Sequence, residues 1–185
     1  VVVAVIDSGL DAEHPDLKEA IWKNPNEKLN NRDDDGNGLV DDLFGWDFLE
    51  DDPVVTPVKD VGSAEARSYH HATIVGGIIG AIGNNAIGTT GVNWNVKIMP
   101  LRPLDDEGIG TVEIVNNAIY YAIKNGADVI NLSLVSAVFD KSFQKAISDA
   151  YKAGIVVVGA MGNSGHEQML LQNGSYSVGQ NLTFP

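Results

Sequence analysis

Three polar positions stand where an apolar stretch of the chain begins or ends, and their types suit acid–base and electrostatic chemistry. Asp7 follows the run Val1–Ile6 directly, in Val5-Ile6-Asp7-Ser8-Gly9. A carboxylate there can orient a histidine, ligate a metal or cap the next turn, and taken alone the turn cap is the commoner role. His70 and His71 open the Gly-rich apolar segment from Ala72 to Ile82. A histidine at a helix start faces the positive end of the helix dipole, which favours the neutral, proton-accepting imidazole. Taken alone, a surface-loop histidine is again the plainer interpretation. Asn163 lies in Gly159-Ala160-Met161-Gly162-Asn163-Ser164-Gly165, after a later apolar run. Flanking glycines let the backbone approach a ligand and leave the amide free to donate, while an Asn-Ser-Gly turn is the bland alternative.

A second set of oxygens is grouped in the segment Asn31–Asp42, where Asp33, Asp35 and Asn37 alternate with Asp34, Gly36 and Gly38. Hard oxygen ligands at every second residue, with a glycine for the turn, are the first half of a Ca²⁺ loop. The bidentate Glu that closes an EF-hand is absent, Phe44 standing at that place, so Asp41 or Asp42 is expected to close the site. The alternative is a solvated acidic loop. The whole chain favours cations: 12 basic against 25 acidic residues give a formal charge of -13. That balance argues against nucleic acid and anionic membrane as partners, since both demand a basic face.

These groups need a scaffold, and the periodicity predicts one. Val1–Ile6, Val96–Leu101, Val129–Leu134 and Ile155–Val158 read as strands, the first as one buried on both faces. Thr111–Asn125 and Lys141–Ala153 read as amphipathic helices followed by capping glycines, Gly126 and Gly154. Ala72–Ile82 reads as a buried helix whose glycines permit close packing. Strands and helices alternating over short connections imply an α/β fold, a parallel sheet with helices on both faces. Reactive groups in such sheets gather at the carboxyl ends of strands. Residues 24–57 and 159–185 lack periodicity, and the first reads as an Asp/Asn/Gly-rich insert. The 185 residues, 44% hydrophobic, have the length of one domain. No apolar run reaches the ~18 residues of a membrane span, and the absence of cysteine removes disulfides, zinc–thiolate sites and thiol nucleophiles.

Taken in order, Asp after the first strand, His opening a Gly-rich helix and Gly-Asn after a strand resemble the subtilases, the subtilisin-like serine peptidases. The resembling segments are Val3–Leu17, His70–Val92, Val96–Thr111, Gly126–Leu134 and Ile155–Gly165. The resemblance implies a subtilisin-like fold and a serine endopeptidase working through an acyl-enzyme. It assigns Asp7 as the triad aspartate, His71 rather than His70 as the base, and Asn163 as the side-chain donor of the oxyanion hole. Ser133 and Leu134 match the strand that pairs with an extended polypeptide substrate, and Gly108 and Gly110 match the loop facing it. The family's Gly after Ser-Leu is Val135 here, a branched side chain expected to reshape the pocket for the residue before the scissile bond. Structural Ca²⁺ is implied at a second place, where Asp16 and Asn85 would offer side chains. A propeptide partner and an extracellular or cell-surface location are also implied by the family alone.

One element of the resemblance is missing. The nucleophile should come last, in a Gly-Thr-Ser motif opening a helix, and none of Ser8, Ser63, Ser68, Ser133, Ser136, Ser142, Ser148, Ser164, Ser175 or Ser177 sits in one. The expectation is therefore a partial catalytic domain over 1–185, truncated before the nucleophile-bearing helix and inactive by itself. The competing readings are a catalytically inactive subtilase-like binding module and a calcium-dependent structural domain.

Overall fold

The computed structural model describes residues 1–57, 70–136 and 139–162, with the backbone of 181–183. Strand β1 (Val2–Ile6) lies at the centre of a five-stranded sheet, between β3 (Lys97–Arg102) and β5 (Val129–Leu132). The short edge strand β2 (Trp46–Asp47) pairs with β3, and β7 (Val156–Gly159) pairs with β5, all in parallel. Because β1 has a strand on either side and helices above and below, it has no polar face, and this explains its unbroken apolar run.

The two faces are sorted by the pleat. Val3 and Val5 point into one cluster with Leu10, Leu17, Ala72 and Ile98, under helix α1 (His71–Gly80). Ala4 and Ile6 point the other way, into a larger cluster with Met99, Leu101, Ile119 and Ile130, under α2 (Val112–Lys124) and α3 (Lys141–Lys152). The expected parallel sheet with helices on both faces is thus the architecture found.

Helix ends follow their local chemistry. Thr111 caps α2 by accepting from the Ile114 N–H at 3.4 Å, and the Asp140 carboxylate caps α3 by accepting from Ser142 and Phe143. In α1, a Cβ on Gly76 would lie 2.6 Å from Leu10 Cδ1, and one on Gly80 would lie 2.2 Å from Val96 Cγ1. The glycines therefore seat the helix against the sheet. The opposite side of α1 is not buried as expected: Ile74 and Ile78 are 58% and 61% exposed.

Two expectations about strands are corrected. Residues 129–134 do not form one strand: β5 ends at Leu132, and the chain leaves the sheet to form β6 (Val135–Ser136). The segment 24–57, in which no periodicity indicates a strand, contributes β2 to the sheet and buries Trp46 and Val55. A second, three-stranded sheet consists of β4 (Gly110–Thr111), β8 (Asn181–Thr183) and β6, with β8 in the middle and antiparallel to both neighbours. No helix among the described residues is long and apolar enough to cross a membrane.

Candidate active site

Asp7 is delivered by the carboxyl end of β1, where its N–H donates to the Leu101 carbonyl at 3.0 Å and its side chain is 1% exposed. His71 is the first residue of α1, 64 positions away in sequence. Its Nδ1 lies 2.9 Å from Oδ2 and 3.0 Å from Oδ1 of Asp7. Oδ1 of the same carboxylate also accepts from the Ser8 N–H at 2.7 Å, which ties its orientation to the backbone. The loop after β1 is tied to α1 a second time, by the Asp11 N–H donating to Thr73 Oγ1 at 3.0 Å. A buried carboxylate on Nδ1 fixes the ring's tautomer with its proton on that nitrogen, which leaves Nε2 as the acceptor. The His71 side chain is 27% exposed, enough for a reacting group to reach it.

Arg102, which the sequence reading passed over, organises the ground behind this pair. It is 4% exposed at the end of β3. Its Nε donates to the Ser8 carbonyl at 3.1 Å, its Nη2 donates to Asp106 Oδ1 at 3.0 Å, and its Nη1 pairs with buried Asp47. One guanidinium thereby joins the loop after β1, the edge strand β2 and the loop leading to β4. Burial opposes its charge, but the two carboxylates more than compensate and raise its pKa further. Gly9 is part of the same arrangement: at φ +101°, a Cβ there would lie 2.7 Å from Arg102 Cδ and 2.9 Å from the Val55 carbonyl. The available signal was an arginine directly after the apolar run Ile98–Leu101.

The residues expected to hold substrate lie along the second sheet. Gly110 is in β4 and Val135 in β6, and both edges pair with β8, Gly110 opposite Leu182 and Val135 opposite Thr183. Ser133 and Leu134 precede β6; the Ser133 Oγ accepts from the Asn131 amide at 2.9 Å and Leu134 is 5% exposed. Gly108 turns the loop before β4 at φ +79°. Val135 and Leu134 line a cavity of about 590 Å³ with Phe139, Phe143 and Met161. Asn163 lies outside the described residues, so the oxyanion assignment has no geometry here.

The acidic loop folds differently from a simple alternation. The carboxylates that converge are Glu27, Asp35 and Asp42, each offering an oxygen within 4.8 Å of the others. Asp33 instead accepts from the N–H groups of Gly36, Asn37 and Gly38, which holds its pKa below the usual carboxylate range. Asp41 accepts from Asn30 and Asn31. The Asn37 amide donates to Asp42 Oδ2 at 2.7 Å, and Tyr121 of α2 donates its hydroxyl to the same oxygen at 2.7 Å. Burial and that neighbouring charge push the Tyr121 pKa up. Asp35 Oδ1 is buried without a hydrogen-bond partner. Glu27, 4% exposed, was missed because it lies outside the Asp/Asn alternation.

Asp16 and Asn85 do come together, through a direct hydrogen bond: the Asn85 amide donates to Asp16 Oδ1 at 2.7 Å, and the Thr89 N–H donates to Oδ2 at 3.0 Å. Both donors hold the Asp16 pKa below its ordinary value. A cation here would have to displace those donors.

The chain is similar to known proteins in sequence and in fold. The sequence profile of the Subtilase family matches residues 1–183. The chain is 36% identical over 167 residues to subtilisin-like protease 1 of Plasmodium berghei, covering 89% of this chain and 26% of that protein. It is 34% identical over 164 residues to thermitase of Thermoactinomyces vulgaris, covering 89% of this chain and 48% of that one. It superposes on fervidolysin of Fervidobacterium pennivorans, a keratinolytic enzyme related to subtilisin, with a TM-score of 0.63 at 25% identity, covering 86% of this chain and 21% of that one. The chain thus spans between about a quarter and half the length of the curated relatives described here.

Proposed function

Because the chain belongs to the subtilase family, we propose that it forms part of the catalytic domain of a serine endopeptidase, supplying the base, its orienting carboxylate and one oxyanion donor. The observation that carries this reading is the His71 Nδ1–Asp7 contact at 2.9 Å, built from two elements that the sheet brings together.

The nucleophile of the reaction is a serine outside these 185 residues. His71 Nε2 takes the proton from that serine's Oγ as the oxygen bonds to the scissile carbonyl carbon. Asp7 keeps the ring in the required tautomer and stabilises the imidazolium that results. The tetrahedral oxyanion accepts from the Asn163 amide, a donor of a kind worth ~100- to 1,000-fold in turnover, as measured in subtilisin itself. Collapse breaks the C–N bond, and His71 gives its proton to the leaving amine. Water then repeats the sequence on the acyl-enzyme and releases the acid. The slot between β4 and β6 holds the extended substrate by β-augmentation. The support is that β8 pairs its backbone with both edges at once, and a peptide takes that place by displacing it.

Structural Ca²⁺ belongs to the same reading. Glu27, Asp35 and Asp42 fit it, because they present hard oxygens to one point and Asp35 Oδ1 has no other partner. The ion would supply only charge neutralisation to the loop.

The test is hydrolysis of a chromogenic peptide by the full-length protein and by its His71→Ala and Asp7→Asn variants. We expect His71→Ala to abolish turnover and Asp7→Asn to lower kcat about 10⁴-fold, the scale of this constellation in other serine peptidases. We expect no hydrolysis by the isolated 185 residues. Full activity in His71→Ala would sink the proposal.

A further inference from the structure

The loop after β1 is fastened to α1 at both ends of that helix. At its start the fastenings are the His71–Asp7 contact and the bond from the Asp11 N–H to Thr73 Oγ1. At its end the chain beyond Gly80 returns to Asp16, which is 3% exposed. The Ile82 N–H donates to the Asp16 carbonyl at 2.9 Å. The Asn85 amide donates to Asp16 Oδ1 at 2.7 Å, and the Thr89 N–H donates to Oδ2 at 3.0 Å.

This is the second place where the resemblance to subtilases implies structural Ca²⁺, and the groups present do not fit one. Ca²⁺ takes about six to eight oxygen ligands, several of them charged, converging on one point. Here each oxygen of the Asp16 carboxylate already accepts an N–H. The Asn85 oxygen, the atom a cation would need, accepts from the Ile87 N–H at 3.0 Å. Turning the amide over would break that bond and the bond to Asp16 together. Gly88 closes the side of Oδ2: at φ +49°, a Cβ there would lie 2.4 Å from that oxygen. Among the described residues Asp16 belongs to no group of three or more converging acidic side chains. Glu27, Asp35 and Asp42 do form one, and there Asp35 Oδ1 lacks a partner.

The backbone is shaped around these bonds. Asn84 and Ala86, on either side of Asn85, both lie in the left-handed region, at φ 63° and 60°. Asparagine tolerates that conformation, but alanine is strained in it, and such strain persists where the surrounding contacts over-determine it. The bonds made by Ile82, Asn85, Ile87 and Thr89 supply those contacts from side chain and backbone alone.

We propose that Asp16 and Asn85 form a cation-independent clamp, in which hydrogen bonds to one buried carboxylate fasten the end of α1 in the place of a bound Ca²⁺. The charge of Asp16 is met by N–H donors, and charge-assisted bonds of this kind are the strong ones. The helix that begins with His71 therefore keeps its far end in place without metal. Among the described residues, the response to Ca²⁺ and to chelators then belongs to Glu27, Asp35 and Asp42. The clamp depends on the fold and not on hydrolysis, so it stands or falls separately from the peptidase reading.

The experiment measures the melting temperature of the full-length protein in EDTA and in saturating CaCl₂. Asn85→Ala removes the bond to Asp16 Oδ1. It should lower the melting temperature by roughly 5 °C, and by the same amount in both buffers. Asn85→Asp exchanges the donor for a second carboxylate facing Asp16. In EDTA it should cost more than Asn85→Ala, through like-charge repulsion, and CaCl₂ should recover most of that loss because two carboxylates now suit the ion. Isothermal titration calorimetry should count the same number of Ca²⁺ equivalents in the parent and in Asn85→Ala. An Asn85→Ala loss that appears only in CaCl₂, or a Ca²⁺ equivalent missing from that variant, overturns the clamp. Asn85→Asp as stable as the parent in EDTA overturns it too, since the amide would then not be donating to Asp16.

Discussion

Replacing Arg102 with methionine should damage both stability and substrate binding in the full-length protein, and the size of the effect follows from what the guanidinium touches. The change leaves the Asp47 carboxylate, 1% exposed, without its cation. It also frees the Ser8 carbonyl and the Asp106 carboxylate, which Arg102 holds at 3.1 and 3.0 Å. Removing one partner of a buried ion pair typically costs about 3–5 kcal/mol. For a domain of this size each kcal/mol moves the melting temperature by roughly 2–4 °C, so a fall of about 6–20 °C is expected in calorimetry. Asp7 keeps its backbone bond to Leu101, whereas the loop toward β4 loses its tether to Asp106. KM for peptides should therefore rise more than kcat falls. The control is Arg102→Met/Asp47→Asn: the amide keeps the oxygen that accepts from Leu49 and Glu50 but removes the stranded charge. It should recover about half the lost stability. A single variant within 1 kcal/mol of the parent, or a double variant as unstable as the single, would refute the buried-charge reasoning.

Two further outcomes follow from the acidic groups. With Ca²⁺ present at about 100 times its dissociation constant, binding to the folded state alone contributes ~2.7 kcal/mol; EDTA should then lower the melting temperature by about 5–11 °C. Asp42→Asn should shrink that shift, and no EDTA effect would remove the cation site. The Asp16 pKa lies below its ordinary value of 3.8, chiefly through the Asn85 amide and then the Thr89 N–H. A carboxylate lowered on folding stabilises above its unfolded pKa and loses that contribution as pH falls through its folded one. Asp16→Asn should thus flatten the acid limb of a pH–stability curve below 3.8, and an unchanged limb would show that Asp16 contributes nothing to it.

Much of the scaffold was legible because its signals are local. The apolar run of β1, the faces of α2 and α3 and the glycines seating α1 depend on residues a few positions apart. The errors arose where a local signal was overridden. Val129–Leu134 keeps a strand-like pattern to its end, with apolar residues at 129, 130, 132 and 134, but hydrogen bonding to β7 stops opposite Gly159 and the chain turns away to make β6. Trp46 and Asp47 carry no period, yet β3 offers an open edge and they pair with it. In the acidic loop the alternation was real, but backbone N–H groups claimed Asp33 and Asp41. The convergent oxygens came from Asp35, Asp42 and Glu27.

From the sequence alone came the α/β class, the succession Asp7, His71 and Asn163, the absence of a serine in the expected motif, and an acidic loop able to attract a cation. Each rests on residue type and short-range spacing, which the chain carries wherever it goes. Tertiary structure alone decided that His71 Nδ1 meets Asp7 across 64 residues, that Arg102 reaches the Ser8 carbonyl across 94, and that β4 and β6 come to flank the same strand, β8. Those pairings depend on which strands become neighbours and on where burial leaves a charge or an acceptor in need of a partner. Nothing in the spacing of one short segment encodes them.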